Sequence, residues 1–317
     1  MADAQVESVD ASWRIPRPVA ITLTQLTSFL AVVRGGSITA AADALIVTQP
    51  SVSAALAALN REVGENLLER SGRSVRLSPA GEAFAPYAAD VVGLLEKGRG
   101  AAREAAAGIE RCLRIIAVTT AAESFVPPLM KAFAERRRDL ELVLDVGNST
   151  AVLEAVLDHR ADVAITGQPP PEGRLEAVPL MDNEIVVVTA PDDPLADAEP
   201  TPVQRLGNRT WLLREDTSGT RALNERFIAA AGLSPRTLTL GSNGAIKQAA
   251  RAGLGVSLIS RATVQVELES GWLGMIPLVQ PPATRRWWGR RSAVGPVRPA
   301  VAEFMTFAPN AIAAQAG

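Results

Sequence analysis

One stretch of the chain, residues 48–64 (TQPSVSAALAALNREVG), has the sequence of a helix but carries no charge before Arg61. Thr48 can cap its first turn, and Pro50 occupies a position where the first turn tolerates proline. Its larger apolar side chains recur at helical spacing along one narrow stripe, which consists of Val52, Leu56 and Leu59. A core helix would be apolar over more of its circumference, so the sequence predicts one buried face and one face that meets a partner.

The residues around this helix predict a helix-turn-helix followed by a wing. Residues 22–34 have apolar side chains at helical spacing and end at a glycine pair, after which Ser37 caps a short alanine-rich helix. Two short helices, a tight turn and a third helix are the pattern of a helix-turn-helix. Residues 67–78, LLERSGRSVRLS, then predict a two-stranded wing that turns at Ser71-Gly72.

The polar face of the third helix has the chemistry of a side that reads DNA. Its amide, hydroxyl and methyl groups suit the major groove, where glutamine pairs with adenine and alanine contacts the thymine methyl group. Within residues 22–80, however, five arginines oppose only four carboxylates, which is a weak charge for binding phosphates. The sequence favours DNA binding over a small structural helical domain, because three arginines cluster in the wing: Arg70, Arg73 and Arg76.

A long helix is predicted to begin at Ser78-Pro79, with serine as the cap and proline in the first helical position. It can run to about residue 107. Its apolar residues form a stripe that a small domain could hardly cover alone: Phe84, Tyr87, Val91, Leu94 and Leu95. The helix is therefore predicted to connect two domains and to pack against another chain; the alternative is an ordinary helix buried by the next domain.

From residue 112 the sequence changes to apolar strands that alternate with helices, which predicts a parallel sheet with crossover helices. A second set of strands and helices follows, and residues 275–307 return with one strand and a last helix. The predicted fold class is an all-α, winged-helix N-terminal domain followed by an α/β domain with two lobes around a cleft. The predicted lobes are about 112–184 with 277–310 (lobe I) and about 185–276 (lobe II).

Small polar residues stand at the joints between strands and helices of the α/β part. Ligands of open α/β sheets gather at such strand ends, where helix N-termini offer free backbone N–H groups. Any one joint could be a plain helix cap, but several joints in two lobes predict a small-molecule cleft. The candidate ligand-binding residues are Thr119, Thr120, Asn148, Ser149, Thr166, Thr217, Ser218, Gly219, Thr220, Ser242 and Asn243.

The chemistry of these joints suits a small anion that carries a phosphate or a carboxylate, although an uncharged ligand would also fit. Arg221 and Lys247 are candidate counter-charges, with solvated helix faces as the alternative for both. We predict a small-molecule ligand and no cofactor.

The composition excludes several other classes of site. Cys112 is the only cysteine and His159 the only histidine, so a disulfide within the chain and a Cys/His metal cluster are impossible. We expect no metal site and no catalytic set, and we interpret His159 as a turn residue. Residues 1–20 lack the apolar segment of a signal peptide and are predicted to be a disordered lead-in. No apolar run approaches the length of a membrane span, so the predicted location is the cytoplasm, without a membrane partner.

The chain resembles a known family over about residues 22–308. Its first part, which contains TQPSVS and LLERSGRSVRLSPAG, is similar to the amino-terminal domain of LysR-type transcriptional regulators. The carboxyl part resembles the periplasmic-binding-protein-like effector domain of that family. The segments SGTRALNERF and LGSNGAIKQAARAGLGVSLIS look most like its CbbR/CysB-like branch.

The resemblance implies a bacterial, sequence-specific DNA-binding regulator that a small molecule controls. It implies a winged helix-turn-helix at 21–78 with a recognition region at about 38–57, a linker and dimerisation helix at 79–108, and an effector-binding domain at 112–310. It further implies double-stranded DNA with an inverted-repeat operator as partner, and self-association into dimers and tetramers. The residues expected to contact DNA are Ser37, Thr39, Thr48, Gln49, Pro50, Ser51, Ser53, Arg73 and Arg76.

One departure from the family changes what we expect of the recognition helix. The family commonly has a basic or amide residue where this chain has Ala54 and Ala55, so we expect affinity to depend on the wing arginines and on avidity. The alternative function is a receptor-like solute-binding protein whose helical head makes protein contacts only. An enzyme is disfavoured because no nucleophile and base are paired in the sequence.

Overall fold

The computed structural model describes residues 20–71, 74–107, 112–167, 173–196 and 198–316. The chain divides into two compact units, Met1–Val92 and Gly93–Gly317, and the division falls within a long helix. The lead-in predicted for residues 1–20 lies outside the described residues, apart from its last residue.

Three short helices and an antiparallel hairpin form the first unit, together with the start of the long helix. In chain order its elements are α1 (Leu23–Gly35), α2 (Ile38–Leu45), α3 (Gln49–Val63), β1 (Leu68–Ser71), β2 (Ser74–Leu77) and α4 (Pro79–Ala107). The side chain that caps each short helix is a hydroxyl that accepts a hydrogen bond from the backbone N–H three residues later: Thr22, Ser37 and Thr48. The predicted caps at Ser37 and Thr48 are therefore confirmed.

Helix α3 has the two different faces that its sequence predicts. Its apolar stripe is buried in the core of the unit against α1, and it consists of Val52, Leu56 and Leu59. Its opposite face is exposed and carries Gln49, Ser51 and Ser53. The prediction of one buried stripe and one polar, exposed face is confirmed.

The hairpin and the start of α4 are joined by hydrogen bonds. Strand β1 includes Ser71, which pairs with Ser74, so the predicted turn at Ser71-Gly72 begins one residue too early; the residues of the turn itself lie outside the described part. The predicted cap of α4 is confirmed, because the Ser78 hydroxyl accepts from the Gly81 N–H at 3.0 Å. Residue 81 must lack a side chain, since a Cβ there would overlap the carbonyl oxygen of Leu67.

The second unit begins inside α4 and continues as an α/β structure. In chain order its remaining elements are β3 (Cys112–Val118), α5 (Thr119–Ala122), α6 (Val126–Arg136), β4 (Glu141–Gly147), α7 (Ser149–Leu157), β5 (Val163–Thr166), β6 (Leu175–Asn183), β7 (Ile185–Thr189), β8 (Trp211–Leu213), α8 (Gly219–Ala230), β9 (Thr237–Thr239), α9 (Asn243–Arg251), β10 (Ser257–Ser260), α10 (Arg261–Glu269), β11 (Gly274–Ile276), β12 (Arg285–Ser292) and α11 (Pro299–Ala316). A short 3-10 helix at Val203–Leu206 precedes β8.

These strands form one large sheet and two smaller ones. The large sheet has the order β4-β3-β5-β12-β6, and the smaller sheets are β10-β7-β11 and β8-β9. The predicted parallel pairing holds for β4, β3 and β5, whereas β12 runs antiparallel to both β5 and β6. Strand β12 is the part of the chain that returns to the large sheet after the second set of elements, so this sheet is completed by residues far apart in sequence.

A buried carboxylate joins the last turns of α4 to the large sheet. Asp162, just before β5, accepts a hydrogen bond from the backbone N–H of Arg114 at 3.0 Å and ion pairs from Lys97 at 3.1 Å and Arg298 at 3.3 Å. The Arg298 guanidinium also donates to both carboxylate oxygens of Glu104 at 3.2 Å. Two cations and two carboxylates thus compensate one another where α4, β3, β5 and α11 meet.

Helix α4 also packs closely on the turn between α7 and β5. A Cβ at residue 93 would overlap the carbonyl oxygen of Asp158, so Gly93 permits this approach. His159 is buried in this turn with a φ of 59°, and its interpretation as a turn residue is confirmed.

The single cysteine lies at the start of β3. The Cys112 carbonyl oxygen accepts a hydrogen bond from Arg298 at 2.7 Å. Burial raises the pKa of the Cys112 thiol, although the neighbouring Arg114 acts in the opposite direction. This thiol is therefore less ionised at neutral pH than an exposed cysteine.

None of the described helices is by itself long and apolar enough to cross a membrane. Helices α2 and α3 satisfy the requirements of length and composition only when they are taken together, and they are bent by 108° at the turn between them.

We predict that Ile46→Asn stabilises the first unit. Ile46 ends α2 with φ 56° and ψ 47°, a left-handed conformation that is strained for a β-branched residue, and its side chain is 92% exposed, so little packing is lost. The expected gain is about 1 kcal/mol in the free energy of unfolding, measured by scanning calorimetry. The control is Val47→Asn, at an exposed neighbour without positive φ, for which no gain is expected. Equal melting temperatures for the wild-type chain and Ile46→Asn would contradict the assignment of strain.

Candidate functional site

A cleft with a cavity volume of about 50 Å³, open to solvent, lies between the large sheet and the β10-β7-β11 sheet in the second unit. The N-terminal ends of α5, α7 and α8 border it, as the strand-to-helix joints in the sequence suggested. Seven of the eleven predicted joint residues line this cleft, and they are Thr119, Thr120, Asn148, Ser149, Ser218, Gly219 and Thr220. Joints that follow strands of the large sheet and of the β8-β9 sheet therefore face one space.

The other four predicted residues lie around the cleft without lining it. Thr166, at the end of β5, is buried, and its hydroxyl has no hydrogen-bond partner among the described residues. Thr217 is exposed beside the α8 joint, and Ser242 is the exposed cap of α9. Asn243 is completely buried behind the wall of the cleft.

Hydrogen bonds connect the two sides of the cleft. The hydroxyl oxygens of Thr120 and Thr220 are 3.4 Å apart, and the Asn148 amide donates to the Thr217 hydroxyl at 3.1 Å. The Asn243 amide nitrogen donates to the Thr120 hydroxyl at 3.3 Å and to the Glu123 carboxylate at 2.8 Å. The predicted residues that lie off the cleft thus include two, Thr217 and Asn243, that hold its two sides together.

Several lining residues were missed by the sequence prediction, although three of them lie between a strand and the next helix: Ser260 is the N-cap residue of α10, and Arg214 and Glu215 follow β8. The polar ones are Asn183, Arg214, Glu215, Ser260, Arg285 and Trp287. A signal for two of them is present in the run RRWWGRR of β12, because alternate residues of a strand share a face. Nothing in the sequence nearby, however, places that strand beside the joints of residues 119 and 149.

Two of the missed residues neutralise each other. The Arg214 guanidinium is buried and donates to both carboxylate oxygens of Glu215, at 2.8 and 2.9 Å. Arg214 also donates to the side-chain oxygen of Asn243 at 2.5 Å. Burial acts to raise the pKa of the Glu215 carboxyl, but the hydrogen bonds from Arg214 outweigh it, and the pKa is lowered. This ion pair forms one wall of the cleft.

Arg285 is a different kind of cation. It is half-buried at the cleft, and none of the described residues forms an ion pair or hydrogen bond with its side chain. Burial lowers the pKa of this guanidinium, and the like charge of Arg226 lowers it further. The predicted counter-charges have other positions: Arg221 pairs with Asp216 and Glu225, Lys247 pairs with Glu267, and neither lines the cleft.

Five of the nine residues expected to contact DNA lie at the N-terminal end of α3, and Ser37 and Thr39 lie at the N-terminal end of α2. Thr39, Thr48, Gln49, Pro50, Ser51 and Ser53 are exposed, and Ser37 is half-buried as the cap of α2. The hydroxyl oxygens of Thr48 and Ser51 are 2.8 Å apart. Arg76 is exposed on the hairpin and pairs with Glu69 at 3.1 Å, whereas Arg73 lies outside the described residues.

The apolar stripe of α4 is only partly covered. Phe84 packs on Phe29 with ring centroids 5.8 Å apart, and Leu94 contacts Gly295. The other three side chains lie four residues apart along the helix and are exposed by 71%, 53% and 47%; they are Tyr87, Val91 and Leu95. These three side chains form an apolar surface, the α4 stripe, that the described residues leave partly exposed.

Both parts of the chain match known protein families. Residues 23–82 match the model of the bacterial regulatory helix-turn-helix protein, lysR family, and residues 106–313 match the LysR substrate binding domain.

Individual relatives agree with these matches. A RuBisCO operon transcriptional regulator of Allochromatium vinosum is 35% identical over 289 residues, which cover 90% of this chain and 95% of the relative. The HTH-type transcriptional regulator CbbR of Xanthobacter flavus is 32% identical over 290 residues, 90% of this chain and 86% of the relative. The structure of the Synechocystis PCC6803 CcmR regulatory domain in complex with 2-PG is similar with a TM-score of 0.60 and 30% identity, covering 63% of this chain and 97% of that domain.

We predict that two adjacent residues of the α9 joint differ strongly in their effect on stability. Asn243→Ala removes bonds to Arg214, Thr120 and Glu123 and leaves buried polar groups unsatisfied, so the expected cost is about 3 kcal/mol. Ser242→Ala removes only an exposed cap and is expected to cost about 1 kcal/mol. Urea unfolding followed by tryptophan fluorescence measures both. A cost for Asn243→Ala no larger than that for Ser242→Ala would show that the buried amide is not structurally important.

Proposed function

The chain belongs to the LysR family of transcriptional regulators, and from that membership we propose how its residues divide the work of a ligand-responsive DNA-binding protein. Its relatives are named regulators of transcription and not enzymes. The two alternatives drawn from the sequence, an enzyme and a receptor without DNA affinity, are therefore set aside. The relatives named CbbR and CfxR agree with the resemblance to the CbbR-like branch.

The proposed domain boundaries follow the change along the chain from short helices, through one long helix, to alternating strands and helices. Residues 21–78 form the DNA-binding domain, with the recognition region at about 38–57, and residues 79–108 form the linker and dimerisation helix. Residues 112–310 form the effector-binding domain. Its lobes are about 112–184 with 277–310, which contains the large sheet, and about 185–276, which contains the two smaller sheets.

The exposed face of α3 is the observation that best supports sequence-specific DNA binding. It offers one amide and two hydroxyls, those of Gln49, Ser51 and Ser53, with no charge and no bulky group, and these can approach base edges closely. Ser37, Thr39 and Thr48 lie at or near the N-termini of α2 and α3, where phosphates bind well. The wing, with Arg73 and Arg76, would supply positive charge beside the phosphate backbone of the DNA.

The cleft is the proposed site of a small-molecule effector, and the class of effector that we propose is an anion. The helices α7 and α8 direct their N-terminal ends to the cleft from opposite sides, where backbone N–H groups and the positive ends of the helix dipoles attract negative charge. The related CcmR regulatory domain was solved in complex with 2-PG, so a small ligand of this kind suits the domain.

The α4 stripe is the proposed contact between two copies of the chain. Tyr87, Val91 and Leu95 present apolar side chains on one side of a long helix, and a second α4 would bury them. Pairing two chains would place two copies of α3 on one duplex, as an inverted-repeat operator on double-stranded DNA requires. The chain would form dimers, and tetramers built from them. It would act in the cytoplasm.

The experiment that tests this function is the selection of DNA sequences from a random pool by the purified chain at two salt concentrations. Recovery of an inverted repeat at both concentrations is the expected result. Recovery of no motif, together with binding that is lost at moderate salt, would contradict base reading by α3.

We predict that Arg76 and Gln49 contribute to DNA binding in different ways. Arg76→Ala should weaken binding to operator and random DNA alike and reduce the slope of log K against log salt by about 0.9, because one phosphate contact is lost. Gln49→Ala should leave the slope unchanged but cost about 1–3 kcal/mol of discrimination at one base pair. Fluorescence anisotropy with the selected operator measures both.

The control for Arg76→Ala is Arg99→Ala, because Arg99 is also exposed and also pairs with a glutamate, at 2.8 Å, but lies on α4. An unchanged salt slope for Arg76→Ala, or an equal change for Arg99→Ala, would remove Arg76 from the DNA interface.

A further inference from the structure

We infer that Arg285 and Trp287, on one face of β12, are the residues that select an oxyanion group of the effector. The inference rests on the effector-binding role proposed for the cleft, and it identifies which side chains recognise the ligand and which class of ligand they accept. Neither residue belongs to the strand-to-helix joints.

Both side chains reach the cleft because of their register on β12. Arg285 is opposite Asn183, and Trp287 is opposite Met181, in the antiparallel pair with β6. Residues two apart on a strand project to the same side, and both of these line the cleft. The pair therefore forms one continuous surface, which faces the joints at the N-termini of α7 and α8.

The charges of the cleft leave Arg285 as the group that lacks a counter-ion. Among the described residues that line the cleft, the charged side chains are Arg214, Glu215 and Arg285. Arg214 and Glu215 form a two-bond ion pair, so they compensate each other. A half-buried guanidinium beside Arg226, a second cation, is unfavourable without an anion. A ligand oxyanion would supply the missing counter-ion of Arg285, because a guanidinium binds carboxylate and phosphate through paired hydrogen bonds.

The indole of Trp287 supplies a second unused donor at the same place. Its side chain is almost completely buried, and its Nε1–H has no hydrogen-bond acceptor among the described residues. Buried donors in native proteins are normally paired, and the described residues provide no acceptor for this N–H, so a water molecule or a ligand would supply it. The ring is held by Phe125, with centroids 5.4 Å apart, and by Gly167, where a Cβ would come within 3.1 Å of the ring.

The donors define the class of ligand. Arg285, Trp287 and the helix N-termini can all donate hydrogen bonds, while the lining carboxylate is already occupied by Arg214. Such a surface favours a small molecule with a carboxylate or a phosphate and disfavours cations. Carboxylate and phosphate share this oxyanion chemistry, and the experiment below separates them.

The test is calorimetric titration of the full chain with four probes that share a three-carbon skeleton: 3-phosphoglycerate, glycerol 3-phosphate, glycerate and glycerol. Charged probes should bind and glycerol should not. The order of glycerol 3-phosphate and glycerate tells whether phosphate or carboxylate is preferred. Arg285→Gln should lower the affinity for the tightest-binding charged probe by roughly 10- to 100-fold. Arg285→Lys should lower this affinity by less, and Trp287→Phe by up to about tenfold.

Arg286→Gln is the matched control. Arg286 is the next residue of β12, but it is exposed, pairs with Asp182 at 3.1 Å and does not line this cleft. Its substitution should leave the affinity for every probe unchanged. An equal loss for Arg285→Gln and Arg286→Gln would indicate a general effect of surface charge and overturn the inference.

Thermal unfolding separates recognition from a structural role. Because no described residue pairs with the Arg285 side chain, Arg285→Gln should melt at the same temperature as the ligand-free wild-type chain or higher. Addition of the bound probe should raise the melting temperature of the wild-type chain much more than that of the variant. A lower melting temperature for ligand-free Arg285→Gln would overturn the inference, because it would show that the guanidinium stabilises the fold.

The outcome is independent of the test of DNA binding. Operator binding is measured on the same preparations, so a chain that binds DNA but none of the charged probes overturns the assignment of Arg285 and Trp287 alone. A chain that binds the charged probes through Arg285 but recovers no DNA motif supports this inference and contradicts the proposed function.

Discussion

The buried carboxylate of Asp162 is the interaction on which the second unit depends. It lies at the start of β5 and receives bonds from Lys97 on α4, from the backbone of β3 and from Arg298 before α11. A buried charge is stable only when it is paired and hydrogen-bonded, and here every neighbour comes from a different segment of the chain. The position of α4 against the large sheet is therefore constrained by this ion-pair network, together with the close approach at Gly93.

The two ends of the large sheet differ in whether their buried charges are paired. Strands β3 and β5 begin at the Asp162 network and end at the cleft, and β12 begins at the cleft and leads towards Arg298. At one end, the charges of Asp162 and Arg298 are compensated within the chain. At the other end, Arg285 has no partner among the described residues. The paired charges at the first end stabilise the fold. At the second end, the unpaired charge of Arg285 is available to bind a ligand.

Local signals in the sequence were enough to predict the helices of the first unit and their faces. Caps such as Ser37 and Thr48, and the stripe of α3, depend only on residues within a few positions of one another. Local signals also predicted the strand-to-helix joints that border the cleft. It did not find Arg285 or Trp287, because β12 reaches the cleft only by pairing with strands more than a hundred residues earlier. Nor did it show that Asn243 would be buried behind the wall, since that depends on Arg214 and Glu123.

The state of the single cysteine makes this chain well suited to site-directed labelling. Only the thiolate form of a cysteine reacts quickly with maleimides, and burial at the start of β3 raises the pKa of the Cys112 thiol. At neutral pH, a new cysteine at an exposed position would therefore be more ionised than Cys112. Two such cysteines, one on each side of the cleft, would carry dyes that report the distance between the two sheets.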